Sequence, residues 1–356
     1  MIHLDRAEVE HWPLASAFKI SRGIKTKATT VVVELSALDA FGGNVAGRGE
    51  ATPYPHYGET PDECVAMIRA AFSSGIAGHH LFSKTSVLPE PTAFAGTLPA
   101  LDAARSWLLD NLSPGAARNA IDCALWDLAA KAHRKPVWKL AALSDVVPVV
   151  TCYTISLDTP EVMAGAARDV GHLPLLKLKL GGTGDDIRMR AVRAARPDAR
   201  LVVDANEGWS PDNVVALLKV AMEVDVELIE QPLPAASDSI LEHLSPGVPI
   251  CADESAEPGI DCADLCGRYD AINIKLDKAG GLTGALELLK QAKAHNLKIM
   301  VGSMVATSLA MAPAMLLTGS ADWVDLDSPL LLAQDRIEGM VIDQGMISPP
   351  SSELWG

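Results

Sequence analysis

Eight short apolar segments, separated by stretches with helical pattern, occupy the chain from about residue 147 onward. They are VPVVTCY, LLKLKLG, RLVVDAN, VELIEQP, VPICADE, AINIKLD, KIMVGSM and WVDLDSP. Apolar strands that alternate with helices are typical of parallel βα units, and eight such units close a barrel. The sequence therefore predicts an α/β fold with a (β/α) barrel of the TIM type.

The first 110 or so residues follow another order, with strands first and helices after them, as in an α+β unit. A β-branched strand, TTVVVELSAL, precedes a region rich in Gly and Pro, GRGEATPYPHYGE. Helices are expected at residues 60–71 and 120–140, and, between barrel strands, at residues 211–224 and 282–296. The third of these helices is expected to have Ser210 as its N-cap and Pro211 at its first position.

Charge and cysteine content limit the class of partner and compartment. The chain has 30 Lys+Arg against 45 Asp+Glu, a net charge of -15, which excludes a nucleic-acid or anionic-membrane footprint and favours a small-molecule partner. Its six cysteines form no CxxC pair and indicate a reducing cytoplasm. Cys262 and Cys266 are four apart, and we expect one helix face to bury both.

Two segments are considered as signals for export or membrane insertion. The N-terminus, MIHLDRAEVE, has Asp5 and Glu8 where a signal peptide needs its apolar core. Residues 299–321 contain no charge and reach the length of a membrane helix, but Gly302 and Pro313 are among several interruptions. We therefore expect no membrane span, but a buried strand, a loop and an apolar helix that could face another subunit of a homo-oligomer.

Polar side chains end the apolar strands, which is where barrel enzymes carry their active sites. These residues are Lys177, Lys179, Asp204, Glu230, Asp253, Lys275, Asp325 and Asp327. Asp204, Glu230 and Asp253 end three successive strands, so they would converge on one point. Three oxygen ligands without His or Cys favour Mg²⁺, with Mn²⁺ as the alternative ion. Each carboxylate could instead cap the following helix, but three in succession favour the metal.

The lysines add an acid–base function to this site. Because side chains alternate along a strand, Lys177 and Lys179 share one face, and Lys275 lies four strands away, across the barrel. A solvated edge strand would show the same pattern, but the surrounding leucines argue against it. This geometry suits proton transfer at a carbon beside a carboxylate, with the metal neutralising an enediolate and a lysine acting as base. Burial, the neighbouring lysine and the cation are expected to lower the lysine pKa.

These motifs resemble the enolase superfamily, in its muconate-lactonizing subgroup, whose sites use a Lys or His base with Mg²⁺. The likeness spans nearly the whole chain and includes KxK, DAN, EQP, ADES and NIKL. It implies that residues 1–112 and the tail 329–356 form an α+β capping domain over a barrel at 113–328. It also implies that Lys179 and Lys275 are the acid–base pair and that Lys177 lies near the substrate carboxylate. Asn206 and Glu254 would support the metal ligands.

Within the subgroup the chain is most similar to dipeptide epimerases, especially those for L-Ala-D/L-Glu. Asp325 and Asp327 match the Asp-x-Asp marker that receives the substrate ammonium, although either could be a helix or turn cap. In FKISRGIKTK, Arg22 and Lys25 could bind a side-chain carboxylate, and the alternative is a solvated loop. PYPHYGE resembles a specificity loop in which Tyr54 and Tyr57 shape the pocket, and His56 replaces an Arg expected from that resemblance.

The resemblance implies Mg²⁺-dependent epimerisation of L-Ala-D-Glu and L-Ala-L-Glu by two lysines, in the reuse of murein peptides. Another reaction of the subgroup remains an alternative: cycloisomerisation, o-succinylbenzoate synthesis, N-acylamino acid racemisation or epimerisation of a different dipeptide. A non-catalytic binding barrel is the second alternative, and the complete set of carboxylates and lysines argues against it.

Overall fold

The N-terminal part of the chain forms a three-stranded antiparallel sheet with helices behind it. The computed structural model describes residues 1–39, 42–76 and 99–356. The sheet has the order β1 (His3–Ile20), β2 (Gly23–Leu38) and β3 (Asn44–Ala51). The helices that follow are α1 (Pro61–Ser74), capped by the Thr60 side chain, then α2 (Pro99–Asn111), α3 (Ala116–His133) and α4 (Val137–Leu140). Strands followed by helices confirm the predicted α+β unit.

Eight parallel strands form the second sheet and confirm the predicted barrel architecture. A short strand, β4 (Val149–Val150), precedes them. The eight are β5 (Tyr153–Ile155), β6 (Leu175–Lys179), β7 (Arg200–Asp204), β8 (Val226–Glu230), β9 (Ile250–Ala252), β10 (Ala271–Lys275), β11 (Lys298–Gly302) and β12 (Trp323–Asp325). They are ordered as in the chain, and the Cys152 amide donates to the Val324 carbonyl at 2.8 Å, which joins the first strand to the last.

Helices and 3-10 segments connect or follow the strands of the barrel. They are α5 (Pro160–Asp169), α6 (Asp185–Ala195), α7 (Val214–Glu223), α8 (Leu276–Ala279), α9 (Leu282–Ala294), α10 (Ser308–Ala314) and α11 (Ser328–Leu331), with 3-10 segments at Ala235–His243, Cys262–Leu265 and Met315–Ser320. Two short strands, β13 (Ile342–Asp343) and β14 (Met346–Ile347), complete the tail. No helix among the described residues is long and apolar enough to cross a membrane.

Four local predictions are wrong. The helix expected at residues 120–140 is interrupted, because Arg134 has left-handed backbone (φ 52) and Pro136 precedes the short helix α4. The segment VPVVTCY is not one strand, because β4 pairs with β14 of the tail and the barrel strand begins only at Tyr153. Ser210 is not the N-cap of α7: residues 210–213 form a turn in which the Asn213 side chain accepts from the Ser210 amide at 2.8 Å, and the helix begins at Val214. Cys262 is buried but Cys266 is exposed, because the 3-10 segment ends before Cys266.

Helix α3 joins the N-terminal sheet to the barrel and is buried along almost its whole length. Strand β3 can approach it because Gly47 and Gly49 have no side chain. A Cβ at Gly49 would lie 2.1 Å from the Ala120 carbonyl oxygen, and one at Gly47 would lie 2.4 Å from that of Ala124. The glycines therefore set the separation between the sheet and the helix on which the barrel also packs.

The C-terminal tail returns to the N-terminal sheet. The Ala333 amide donates to the Pro13 carbonyl at 2.8 Å, and Arg336 forms ion pairs with Glu10 and Glu50. The Trp355 indole donates to the Cys123 carbonyl of α3 at 3.0 Å. These contacts support a cap built from both ends of the chain, and the limits 1–112, 113–328 and 329–356 stay a prediction.

We expect Gly49→Ala to destabilise the protein by about 3 kcal/mol, because a methyl group has no room against the α3 backbone. Gly319→Ala is the matched control, since no atom of the described residues lies within 4 Å of its added Cβ. Urea unfolding of both variants measures the difference. Equal stability of the two variants would contradict the close approach of β3 to α3.

Candidate active site

The inside of the barrel is built in layers, and the layers follow the period of two along each strand. A separate apolar cluster contains one residue from each of seven strands: Leu175, Val202, Leu228, Cys251, Ala271, Met300 and Trp323. Two residues further along the same chain segments lie Lys177, Asp204, Glu230, Asp253, Asn273, Gly302 and Asp325. A polar layer therefore rests on an apolar floor at the carboxyl ends of the strands.

Lys177 is the centre of the polar layer and is only 1% exposed. Its Nζ atom lies 2.6 Å from Glu230 Oε2, 2.6 Å from Asp325 Oδ2 and 3.2 Å from Asp204 Oδ2. Lys179 Nζ, one step nearer the strand end, donates to Asp204 Oδ2 at 2.5 Å. The two lysines thus share one face, as predicted, and share one carboxylate.

A second lysine pair surrounds Asp253. Lys275 Nζ donates to Asp253 Oδ2 at 2.7 Å and lies 3.9 Å from Glu230 Oε1, and Lys278 Nζ donates to Asp253 Oδ1 at 2.7 Å. Asn273 donates to Glu230 Oε1 at 2.7 Å. Every carboxylate in this layer therefore contacts an ammonium group.

These ion pairs determine the protonation of the layer. Burial alone would lower the pKa of Lys177, but Asp325, Glu230 and Asp204 raise that pKa well above its ordinary value. For Lys275, burial also acts to lower the pKa, and Asp253 and Glu230 raise it overall. The expected fall in lysine pKa concerns a lysine base beside a bound cation, and it stays a prediction.

The carboxylates respond in two ways. Burial and the nearby charge of Asp204 raise the pKa of Glu230 to about 7. Burial also acts to raise the pKa of Asp253, but Lys275 and Lys278 hold it well below its usual value. Neighbouring charges therefore shift the pKa values of two carboxylates in one layer in opposite directions.

The donor set fits a hard cation by its chemistry. Asp204, Glu230 and Asp253 supply only oxygen atoms, and the buried Oδ1 of Asn206 and Oε2 of Glu254 accept no hydrogen bond from any described residue. Within the described ranges, no three Asp, Glu, His or Cys side chains are spaced as ligands of one ion, because Lys177 and Lys275 stand between the carboxylates. Asn206 Nδ2 lies 3.3 Å from Glu254 Oε1, which places both beside the layer.

Asp325 and Asp327 lie together on the side of the last strand. Asp327 Oδ2 accepts from the Thr154 amide at 2.6 Å, while Asp325 Oδ1 is buried and accepts no hydrogen bond from the described residues. Burial and the Asp325 charge raise the pKa of Asp327 to about 7. The pair therefore offers an unused acceptor next to Lys177.

The N-terminal sheet places Arg22, Lys25 and Tyr54 over this layer, in different roles. The Arg22 guanidinium already pairs with Glu254 at 2.7 Å and Glu207 at 3.3 Å. Lys25 Nζ lies 4.4 Å from the centre of the Tyr54 ring and has no carboxylate partner within the described part of the chain. His56 points to Glu207, at 4.0 Å.

A cavity of about 70 Å³ lies between the cap and the polar layer. Lys179 and Lys275, from the second and sixth barrel strands, both line it. The cap contributes Phe18, Ile20, Arg22, Lys25, Tyr54 and Tyr57, and the barrel adds Thr154, Lys177, Asn206, Asp253, Ser303, Met304, Val305, Asp325, Asp327, Ser328 and Leu331. The structure thus gathers most of the predicted site residues around one space.

Sequence reasoning missed several members of this site. Asn273 carried a usable signal, since it lies two residues before Lys275 and hence on the same strand face. Lys278 lies in the helical turn after β10. At such a position the sequence alone does not distinguish a buried lysine of the site from a solvent-exposed one. Segment 303–305 carries no chemical signal, and only the folded chain places it on the cavity.

A parallel barrel with buried bases and carboxylates at its strand ends, beneath an antiparallel cap, defines an acid–base enzyme of a small polar substrate. Two family models cover the chain: residues 4–141 match the mandelate racemase / muconate lactonizing enzyme N-terminal domain, and residues 162–353 match the enolase C-terminal domain-like family. The chain belongs to the enolase superfamily, and that prediction is confirmed.

Two relatives with similar sequences are an epimerase and a racemase. The chain is 39% identical over 328 residues to the L-Ala-D/L-Glu epimerase of Escherichia coli, covering 92% of this chain and 93% of the relative. It is 38% identical over 310 residues to the N-acetyl-D-glutamate racemase of a Pseudoalteromonas species, covering 87% and 91%.

Solved structures agree with these relatives. An enolase family member from Agrobacterium tumefaciens with homology to dipeptide epimerases, solved with sodium and L-Ala-L-Glu, has 43% identity and a TM-score of 0.88, with full coverage of both chains. The dipeptide epimerase of Cytophaga hutchinsonii, complexed with Mg and D-Ala-L-Val, has 26% identity and a TM-score of 0.82, covering 98% of this chain and 94% of that one.

Burial, with the charges of Lys179 and Arg22, lowers the pKa of Lys25 to about 8 from 10.5. Between pH 8 and 10.5 the unfolded chain therefore binds more protons than the folded one, and stability should rise with pH. We expect wild type to gain roughly 1–2 kcal/mol relative to Lys25→Met between pH 7 and pH 10. Urea unfolding of the metal-free protein measures this difference.

The control for this measurement is Lys27→Met, which changes an exposed lysine of the same strand. Its stability relative to wild type should not change with pH over the same interval. A pH-independent difference between wild type and Lys25→Met would contradict the lowered pKa.

Proposed function

We propose that the protein is a Mg²⁺-dependent dipeptide epimerase that interconverts L-Ala-D-Glu and L-Ala-L-Glu. The observation that carries the proposal is the pair Lys179 and Lys275, which come from opposite sides of the barrel and line one cavity. Proton transfer at a carbon held between two lysines can enter from either face and invert the centre. The relatives that epimerise or racemise amino acid derivatives support the same reaction.

The chemistry of the chain's own residues is a pair of proton transfers. One lysine, uncharged, takes the α-proton of the substrate, and the electron pair of the C–H bond moves into the adjacent carboxylate group. The other lysine, as an ammonium, returns a proton to the opposite face. The two lysines exchange these roles for the two stereoisomers. Lys177, which stays charged beside Asp204 and Glu230, stabilises negative charge on the substrate carboxylate.

Asp204, Glu230 and Asp253 would hold the Mg²⁺, with Asn206 and Glu254 beside them. The bound cation supplies positive charge that neutralises these carboxylates and polarises the substrate carboxylate. The Cytophaga structure with Mg supports this assignment, as does the oxygen-only donor set. Asp204 and Asp253 would thus have two roles, as ligands of the cation and as partners of Lys179 and Lys275.

Two further groups support an orientation of the dipeptide in the cavity. The Oδ1 atom of Asp325, which accepts no hydrogen bond within the described ranges, would accept the substrate ammonium group, with Asp327 beside it. Lys25, which has no carboxylate partner among the described residues, would bind the side-chain carboxylate of Glu, whereas Arg22 is already paired with Glu254 and Glu207. Tyr54 holds Lys25 through its ring.

Racemisation of N-acetylglutamate is the second candidate, because one relative with this activity is almost as similar as the dipeptide epimerase. This substrate has the same Glu end but no ammonium group. Asp325 and Asp327 therefore separate the two candidates.

The cellular setting belongs to the same proposal. Six free cysteines, five of them buried, fit a reducing cytoplasm, where the enzyme would reuse murein dipeptides. Assembly into a homo-oligomer stays a prediction.

In D₂O with Mg²⁺, we expect wild type to exchange the Glu α-proton of both L-Ala-L-Glu and L-Ala-D-Glu. Lys179→Ala and Lys275→Ala should each reduce exchange by about 10²–10⁴-fold, one variant mainly for the first stereoisomer and the other mainly for the second. Proton NMR follows exchange, and circular dichroism checks that the variants fold.

Lys290→Ala, which changes an 81% exposed side chain on α9, is the control and should exchange at the wild-type rate. Absence of exchange by wild type would overturn the proposal. If calorimetric titration also detected no Mg²⁺ binding, a non-catalytic binding barrel would become the better interpretation.

Replacing Asp325 and Asp327 together by Asn should lower kcat/KM for L-Ala-L-Glu at least tenfold more than kcat/KM for N-acetylglutamate, because only the dipeptide has an ammonium group to lose its partner. The ratio of the two kcat/KM values is unaffected by changes that act on both substrates equally, such as loss of the contact between Asp325 and Lys177. An unchanged ratio would favour N-acylamino acid racemisation.

A further inference from the structure

One wall of the cavity has no regular secondary structure. Ser303, Met304 and Val305 line the cavity, and they belong to the segment 303–307 that connects β11 to α10. Without a helical or strand ladder, the shape of this segment depends on hydrogen bonds from outside it. Those contacts therefore influence where the substrate meets the wall.

The far end of the segment is attached to the N-terminal sheet. Glu50 of β3 accepts from the Thr307 amide at 2.8 Å and from the Thr307 hydroxyl at 2.5 Å. On the barrel side, the Ala306 amide donates to Ser328 Oγ at 2.6 Å. Glu50 thus binds the segment from the cap with both carboxylate oxygens, and the Thr52 hydroxyl adds a longer contact by donating to the Val305 carbonyl at 3.5 Å.

A carboxylate as buried as Glu50, which is 1% exposed, requires a counterion. Arg336 of the C-terminal tail supplies it, since its Nη2 lies 2.6 Å from Glu50 Oε2 and its Nε donates to Thr307 Oγ1 at 2.7 Å. Arg336 is itself held by Glu10 at 2.7 Å and by the face of Trp12 at 4.9 Å. The cap, the tail and the barrel segment therefore meet at one buried ion pair.

We infer that Glu50 and Arg336 are positioning residues, which hold segment 303–307 in the shape that forms the substrate wall. Neither side chain lines the cavity or touches the lysines and carboxylates of the polar layer. The wall contacts the substrate before and during reaction alike, so its displacement weakens binding without removing a catalytic group. The signature is a rise in KM with little change in kcat.

The structural test follows the Thr307 amide by hydrogen exchange in the full-length protein. Glu50→Gln keeps the side-chain size but replaces one acceptor oxygen by a donor that faces Thr307 or Arg336. We expect amides in residues 303–308 to exchange at least tenfold faster than in wild type, while amides of β7 and β8 keep their rates. Unchanged exchange in residues 303–308, or equal acceleration in β7 and β8, would overturn the inference.

The kinetic test uses a matched pair at Thr307, which also serves if Glu50→Gln does not fold. Thr307→Val removes the hydroxyl that Glu50 and Arg336 bind, whereas Thr307→Ser keeps it. We expect Thr307→Val to raise KM for the dipeptide about tenfold with kcat within about threefold of wild type, and Thr307→Ser to stay near wild type. A fall in kcat with unchanged KM, or equal effects of Val and Ser, would overturn the inference.

Arg200→Met is the control for loss of an ion pair, because Arg200 pairs with Glu227 on the exposed side of the barrel, away from the cavity. Its KM and its exchange in residues 303–308 should match wild type. The kinetic test rests on the proposed function, but the exchange test does not. If the wild-type protein had no epimerase activity, the proposed function would be wrong, but hydrogen exchange in Glu50→Gln would still test the positioning role of Glu50.

Discussion

The buried alternation of lysines and carboxylates at the strand ends is the constraint on which the rest of the structure depends. Four lysines and four carboxylates occupy the inside of the barrel: Lys177, Lys179, Lys275, Lys278, Asp204, Glu230, Asp253 and Asp325. A charge in this environment is costly unless a partner lies within hydrogen-bond distance, and removal of one partner leaves the other uncompensated. The layer can exist because an apolar floor closes the barrel beneath it and a cap excludes water above it. The same lysines and carboxylates therefore contribute both to the stability of the fold and to the chemistry of the site.

The cap contributes more than a cover. Two of its cations differ in their partners. Arg22 forms ion pairs with Glu254 and Glu207, whereas Lys25 contacts only an aromatic ring among the described residues. A group that is already paired makes a poor ligand for a further anion, because binding must replace an existing contact. This difference between two cations three residues apart follows from the carboxylates that the barrel loops bring, since Glu207 and Glu254 both pair with Arg22.

Much of the architecture could be predicted because the relevant signals are local. The eight apolar segments identified the barrel strands, and the period of two placed Lys177 and Lys179 on one face. The failures have equally physical causes. Val149 and Val150 have strand propensity but pair with the tail, a partner that no local pattern indicates. Ser210 is expected to cap α7, but the Asn213 side chain binds the Ser210 amide in a turn, and the helix begins only at Val214.

By itself, the sequence determined the order of the elements, the layer of ionisable residues at the strand ends and hence the class of chemistry, since these depend on periodicity and on residue type. Only the tertiary structure decided which charges contact one another, that Lys25 and the Oδ1 atom of Asp325 lack a charged partner among the described residues, and that Glu50 and Arg336 meet at Thr307. Residues 10, 50, 307 and 336 are far apart in the chain, and no sequence spacing relates them. Their contact exists because strands β1 and β3 of the cap, segment 303–307 of the barrel and the returning tail pack against one another.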